Sequence, residues 1–109
     1  MKMRLNITEK LQSDFPELEL RDKTFRIDNR KDTVLAYTEK DFSGQKTGDL
    51  MEEIIRHFAG EKALKEIQSM KDLSFHDYET IIYAIMSLAM EITFEEAQKR
   101  FHSSAGESA

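Results

Sequence analysis

The sequence predicts a mainly α, α+β fold: an N-terminal β-hairpin packed on a bundle of four to five short helices. Three observations predict it. Apolar and charged residues alternate between Leu18 and Ile27, the apolar spacing then becomes three and four from Val34 onward, and two capping-box patterns mark helix starts late in the chain. At 109 residues the chain has the size of one domain, able to bury roughly 65% of its unfolded surface in a core that needs no metal or disulfide staple. We place a single domain at 1–102, with the hairpin at about 18–28, the helical part at about 32–102 and a flexible tail at 103–109.

The elements follow in order. Asn6 or Thr8 can cap a short helix in which Ile7, Leu11 and Phe15 share a face, and Pro16 stops it because its ring cannot continue the hydrogen-bond ladder. Leu18 and Leu20, then Phe25 and Ile27, alternate with charges on either side of a polar Arg21-Asp22-Lys23-Thr24 turn, the pattern of a hairpin with one buried face. Such a hairpin is marginal alone in water, so that face must lie on the helices. Val34, Leu35, Thr38 and Phe42 suit a short helix ending near Ser43-Gly44. A second helix over about Asp49 to Ala59 carries the stripe Leu50, Met51, Ile54, Ile55 and Phe58, and Gly60 closes it. A third, about Glu61 to Met70, buries Ala63, Leu64 and Ile67.

Ser74-Phe-His-Asp77 opens a fourth helix to about Ile92, with Leu73 and Tyr78 placed as a hydrophobic staple. Thr93-Phe-Glu-Glu96 opens a fifth, with Phe94, Ala97 and Phe101 on one face. Nothing beyond Phe101 has a side chain to bury, which predicts a frayed end.

Composition excludes several function classes. The absence of cysteine removes bridges, thiolate nucleophiles and thiolate metal sites, and it fits a reducing cytoplasm. Charges stand where a signal peptide needs its apolar stretch, and the longest apolar run, Ile81 to Met90, is about half a membrane span. A formal charge of −5 repels phosphate backbones, and the densest basic cluster, Arg26, Arg30 and Lys31, is interrupted by Asp28 and followed by Asp32. We expect no nucleic acid and no membrane among the partners.

No constellation for catalysis or cofactor binding emerges. There is no Gly-x-Ser-x-Gly or Ser-x-x-Lys pattern, and Gly44-Gln-Lys-Thr-Gly48 lacks the spacing of a phosphate loop. Glu53 and His57 share a helix face, yet two groups fall short of a zinc site, so an exposed helix pair is the plainer reading. His76 and His102 read as solvated, and the doublets Glu52-Glu53 and Glu95-Glu96 read as soluble faces. The expectation is a protein that is not an enzyme and carries no cofactor and no metal.

The fourth helix is apolar on every side. One face takes Phe75, Tyr78, Ile82, Ile85, Ala89 and Ile92, while the other still carries Tyr83, Met86 and Met90. Such a helix is either central to its domain or packed against something else. Tyr83, Met86 and Met90 are therefore the candidate residues for meeting a protein partner or a second copy, methionine suiting apolar partners of irregular shape.

The hairpin ending Phe25-Arg-Ile-Asp-Asn-Arg-Lys-Asp-Thr-Val-Leu35 leads into Phe58-Ala-Gly-Glu-Lys-Ala-Leu-Lys-Glu-Ile67, Leu73-Ser-Phe-His-Asp-Tyr78, Ile82-Tyr-Ala-Ile-Met86 and Phe94-Glu-Glu-Ala-Gln-Lys-Arg-Phe101. Together these resemble the small tail assembly chaperones of long-tailed phages and prophages of Gram-positive bacteria, over about Leu5 to Phe101. The resemblance implies a non-enzymatic role in the bacterial host's cytoplasm. It implies coating the long helical tape-measure protein and helping tail-tube subunits polymerise around it. The alternatives are a small acidic regulatory module and a structural tail or head-completion protein, each acting by protein contact.

Overall fold

The computed structural model describes residues 3–11 and 14–104. Strands β1 (Glu17–Leu20) and β2 (Lys23–Arg26) form an antiparallel hairpin, and five helices follow: α1 (Lys31–Thr38), α2 (Thr47–Ala59), α3 (Glu61–Gln68), α4 (Phe75–Met90) and α5 (Phe94–Ser104). A hairpin on a helical bundle is thus the observed architecture.

Leu18 stands opposite Phe25 and Leu20 opposite Lys23, so the turn is tighter than the polar run predicts, holding only Arg21 and Asp22. Arg21 takes the left-handed conformation, φ 58°, that a two-residue turn demands and that glycine usually supplies. Its guanidinium grips Asp72, in the link between α3 and α4, through two bonds of 3.0 and 2.9 Å. Among the described residues before the hairpin the expected helix is replaced by a single 3-10 turn, Thr8–Lys10, and positions 12–13 of that expectation lie outside the described residues. Asn6 accepts the Thr8 N–H at 3.0 Å, a local turn that competes with helix. Ile7 and Leu11 are exposed, and Pro16 serves the hairpin instead by accepting the Ile27 N–H at 2.9 Å.

α2 and α4 pack on each other at the centre, α3 flanks α2, α5 flanks α4, and β1 lies on α4. The α2 stripe predicted from spacing, Leu50, Met51, Ile54, Ile55 and Phe58, is wholly buried. Asp28 N–H donates to the Phe58 carbonyl at 2.8 Å, fastening the hairpin's exit to the end of α2. Gly60, at φ 97° and ψ 165°, turns the chain from α2 into α3 in a region that only glycine occupies without strain. The capping box of α4 is complete: Asp77 N–H donates to Ser74 Oγ at 3.0 Å and Ser74 N–H to Asp77 Oδ2 at 3.1 Å.

Several boundaries move. α1 ends at Thr38, and Phe42 packs on the core from the loop beyond it. Leu35 and Phe75, placed on buried faces by their spacing, are exposed. α4 stops at Met90, where Glu91 turns left-handed and Ile92 N–H reaches back to Ser87 O at 3.2 Å. α5 runs to Ser104, two residues into the predicted tail, and the rest of that tail, 105–109, lies outside the described residues.

Candidate functional site

α4 places its three candidate residues in two different environments. Tyr83 is 5% exposed and lies under α5. Its ring meets Phe94 edge-on at 5.5 Å, Phe101 at 5.9 Å and His102 at 6.0 Å between centroids. Its hydroxyl stands 3.1 Å from Glu79 Oε2 and 3.1 Å from His102 Nε2. The apolar face assigned to a partner is covered here by the chain's own fifth helix, whose stripe of Phe94, Ala97 and Phe101 fits it. Tyr83 is a core residue, and His102, expected in solvent, is half-buried against it.

Met86 and Met90 are brought together at the other end of the helix. They line a recess of about 260 Å³ with Tyr37, Thr38, Phe42, Lys40, Arg100 and the end of α5. Met86 forms its floor, at 0% exposure, while Met90 is half-buried on the wall. Arg100 Nη1 approaches the Met90 sulfur at 3.8 Å and its Nε donates to Glu96 at 3.2 Å, one turn back on α5. The Lys40 ammonium at the rim is paired with Glu53.

Tyr37 gives the recess its one buried polar group. Its ring packs between Phe42 at 5.2 Å and Phe58 at 5.0 Å, and its buried hydroxyl makes no hydrogen bond of ordinary geometry among the described residues, the nearby Ser104 hydroxyl falling short of one. Burial, reinforced by the nearby Glu53 carboxylate and opposed by the Ser104 hydroxyl, pushes the phenol up to about 12. It therefore stays a neutral donor across the physiological range. The recess sets Met90 and Phe42 among the polar side chains of Thr38, Lys40, Arg100, Ser103 and Ser104, with the Tyr37 hydroxyl sealed beneath, which suits an amphipathic side chain.

Tyr37 is the residue that sequence reading missed. The signal existed: Tyr37 follows Val34 by three positions, but Leu35 and Thr38 fit the assumed stripe equally well and diverted it.

The remaining candidates take structural roles. Glu53 turns to Lys40 and Arg56, whereas His57 turns away to the Thr33 carbonyl, 2.7 Å from its Nε2, half-buried between α1 and α2 rather than exposed. The two side chains share no ligand direction, and no group of three or more potential metal ligands exists among the described residues. Asp28 holds the entry to α1: it accepts from Arg30 N, Nε and Nη2 and from Thr33 Oγ1, all between 2.8 and 3.1 Å. The Arg30 side chain, aided by its backbone N–H and by Thr33, keeps the Asp28 carboxyl well below the usual carboxylate range, with partial burial opposing.

Among the described residues no helix is long and apolar enough to cross a membrane. Comparison of the chain with protein-family models, with curated proteins and with solved structures returns no match.

Proposed function

We propose that this protein acts by binding other proteins without catalysing a reaction, as an assembly chaperone for phage or prophage tails in the bacterial cytoplasm. Its partners on this reading are the tape-measure protein and the tail-tube subunits. The observation that carries the proposal is the recess at the end of α4. A long amphipathic helix exposes apolar side chains at regular intervals, and a methionine-walled recess accommodates such side chains without demanding one shape. The recess is small, about 260 Å³, so each contact is weak, which suits a coat that is later displaced as the tube forms. The resemblance of residues 5–101 to tail assembly chaperones supplies the identity of the partner, and the negative charge of the chain is in keeping with a protein rather than a nucleic-acid surface.

Co-expression with the long helical protein encoded beside it tests the proposal. The long protein should become soluble only in company, and the two should co-purify. Met90→Glu places a charge on the recess wall and should abolish co-purification while the circular dichroism of the domain is retained. A partner that stays insoluble, or a complex indifferent to Met90→Glu, overturns the reading.

A further inference from the structure

Among the described residues the outer edge of β2 is open at Thr24 and Arg26, and the chain carries a segment patterned to fill it. The Ile27 N–H bond to Pro16 fixes the parity of the ladder, so that Leu18 and Leu20 bond to Phe25 and Lys23 while the N–H and C=O groups of Thr24 and Arg26 point away from β1. On that outward side the next such group, Asp28 N–H, is taken by Phe58 at the end of α2. Thr24 and Arg26 instead border a cleft of about 610 Å³ whose far wall is α3, at Lys62, Ala63 and Glu66. The Arg26 guanidinium lies over the Phe15 ring, 4.8 Å from its centroid.

Residues 3–7 read Met3-Arg4-Leu5-Asn6-Ile7, apolar and polar in strict alternation. That is the pattern of a half-buried strand, yet among the described residues it pairs with no strand, and Met3 is 96% exposed and Leu5 80%. An unpaired strand edge and an unpaired strand-patterned arm in one chain are complementary by backbone and by period.

We infer that residues 3–7 of one copy add to the open edge of β2 in a second copy, and that the exchange is reciprocal. The arm becomes a third strand in the cleft between β2 and α3, bonded through Thr24 and Arg26. Its alternate side chains Met3, Leu5 and Ile7 turn towards the sheet face that already carries Phe25. Reciprocity closes the assembly as a two-fold dimer and satisfies both free edges at once. The inference is independent of the tail-assembly reading and stands or falls without it.

Light scattering on the eluting full chain, paired with amide hydrogen exchange, tests it. The wild type should elute at twice 12.7 kDa, and the double variant Leu5→Lys/Ile7→Lys at 12.7 kDa. Both substitutions fall on exposed residues, so the variant should remain a folded monomer with the helical circular dichroism of the wild type. The Thr24 and Arg26 amides should exchange about tenfold or more slowly in the wild type than in the variant. A wild-type monomer with fast amides overturns the inference, and so does a dimer that survives the double variant. A dimer lost without any change at Thr24 and Arg26 places the arm elsewhere and also overturns it. Protected amides in a monomer would show the arm folded onto its own sheet, or the edge taken by another strand, and would exclude the second copy.

Discussion

Tyr83 and Met90 stand two helical turns apart on α4, and on hydropathy alone they are equivalent exits from the core. Their fates differ. Tyr83 is sealed by three rings of α5, whereas Met90 lies at a recess where the ends of α1 and α5 diverge and a buried hydroxyl is left without a hydrogen bond of ordinary geometry. An apolar helix surface is therefore open to contact only where its own domain leaves it uncovered. Covering depends on where neighbouring helices end, which their own caps and lengths decide.

The largest test of that contrast is truncation along the helix. Met86→Ala should cost about 2–5 kcal/mol, because it removes a fully buried side chain. Met90→Ala should cost under about 1 kcal/mol, since its side chain is half-buried and already faces a void. Denaturant titration measures both, and equal losses would erase the distinction between floor and rim. A second test perturbs stability away from the recess. Gly60→Ala meets no steric neighbour, so its cost is the backbone conformation alone, about 1–3 kcal/mol, and partner binding by the folded fraction should be unchanged.

The sequence made much of this legible and the recess only half so. The period-two run from Leu18 to Ile27, the α2 stripe and the Ser74–Asp77 cap each express a local rule, and each has its expected counterpart in the fold. Met86 and Met90 could be singled out because few polar residues interrupt α4. Which of Tyr83, Met86 and Met90 stays accessible was not legible, because a helix that is apolar all round has no direction. That choice was made by the register of α5, a tertiary fact. Tyr37 escaped for a related reason, its position on α1 being one of two equally plausible stripes. The tight Arg21 turn escaped because the residue that usually announces it, glycine, is absent.

Smaller effects sharpen the contrast further. Ser74→Ala removes one bond of the capping box at the end of α4 remote from the recess, and should cost about 1 kcal/mol with binding intact. Tyr37 supplies a pH signature. Burial pushes its phenol up to about 12 from the ordinary 10.0, so folding favours the neutral form. That contribution is complete below the ordinary value and is lost as pH rises towards the folded one, at about 1 kcal/mol per pH unit. The difference in stability between wild type and Tyr37→Phe should follow this slope in chemical denaturation at high pH and be flat near neutrality. At neutral pH Tyr37→Phe should leave the free domain as stable or slightly more so, since a buried hydroxyl without a hydrogen bond of ordinary geometry contributes little.

Methionine methyl resonances test the central claim most directly. The chain has six methionines, among them Met51 deep in α2 and Met86 and Met90 at the recess. Titration of methyl-labelled protein with a soluble helical fragment of the long partner should shift Met86 and Met90 and leave Met51 in place. A complex that forms while Met86 and Met90 stay unmoved would contradict the assignment of the recess and leave α4 as core alone.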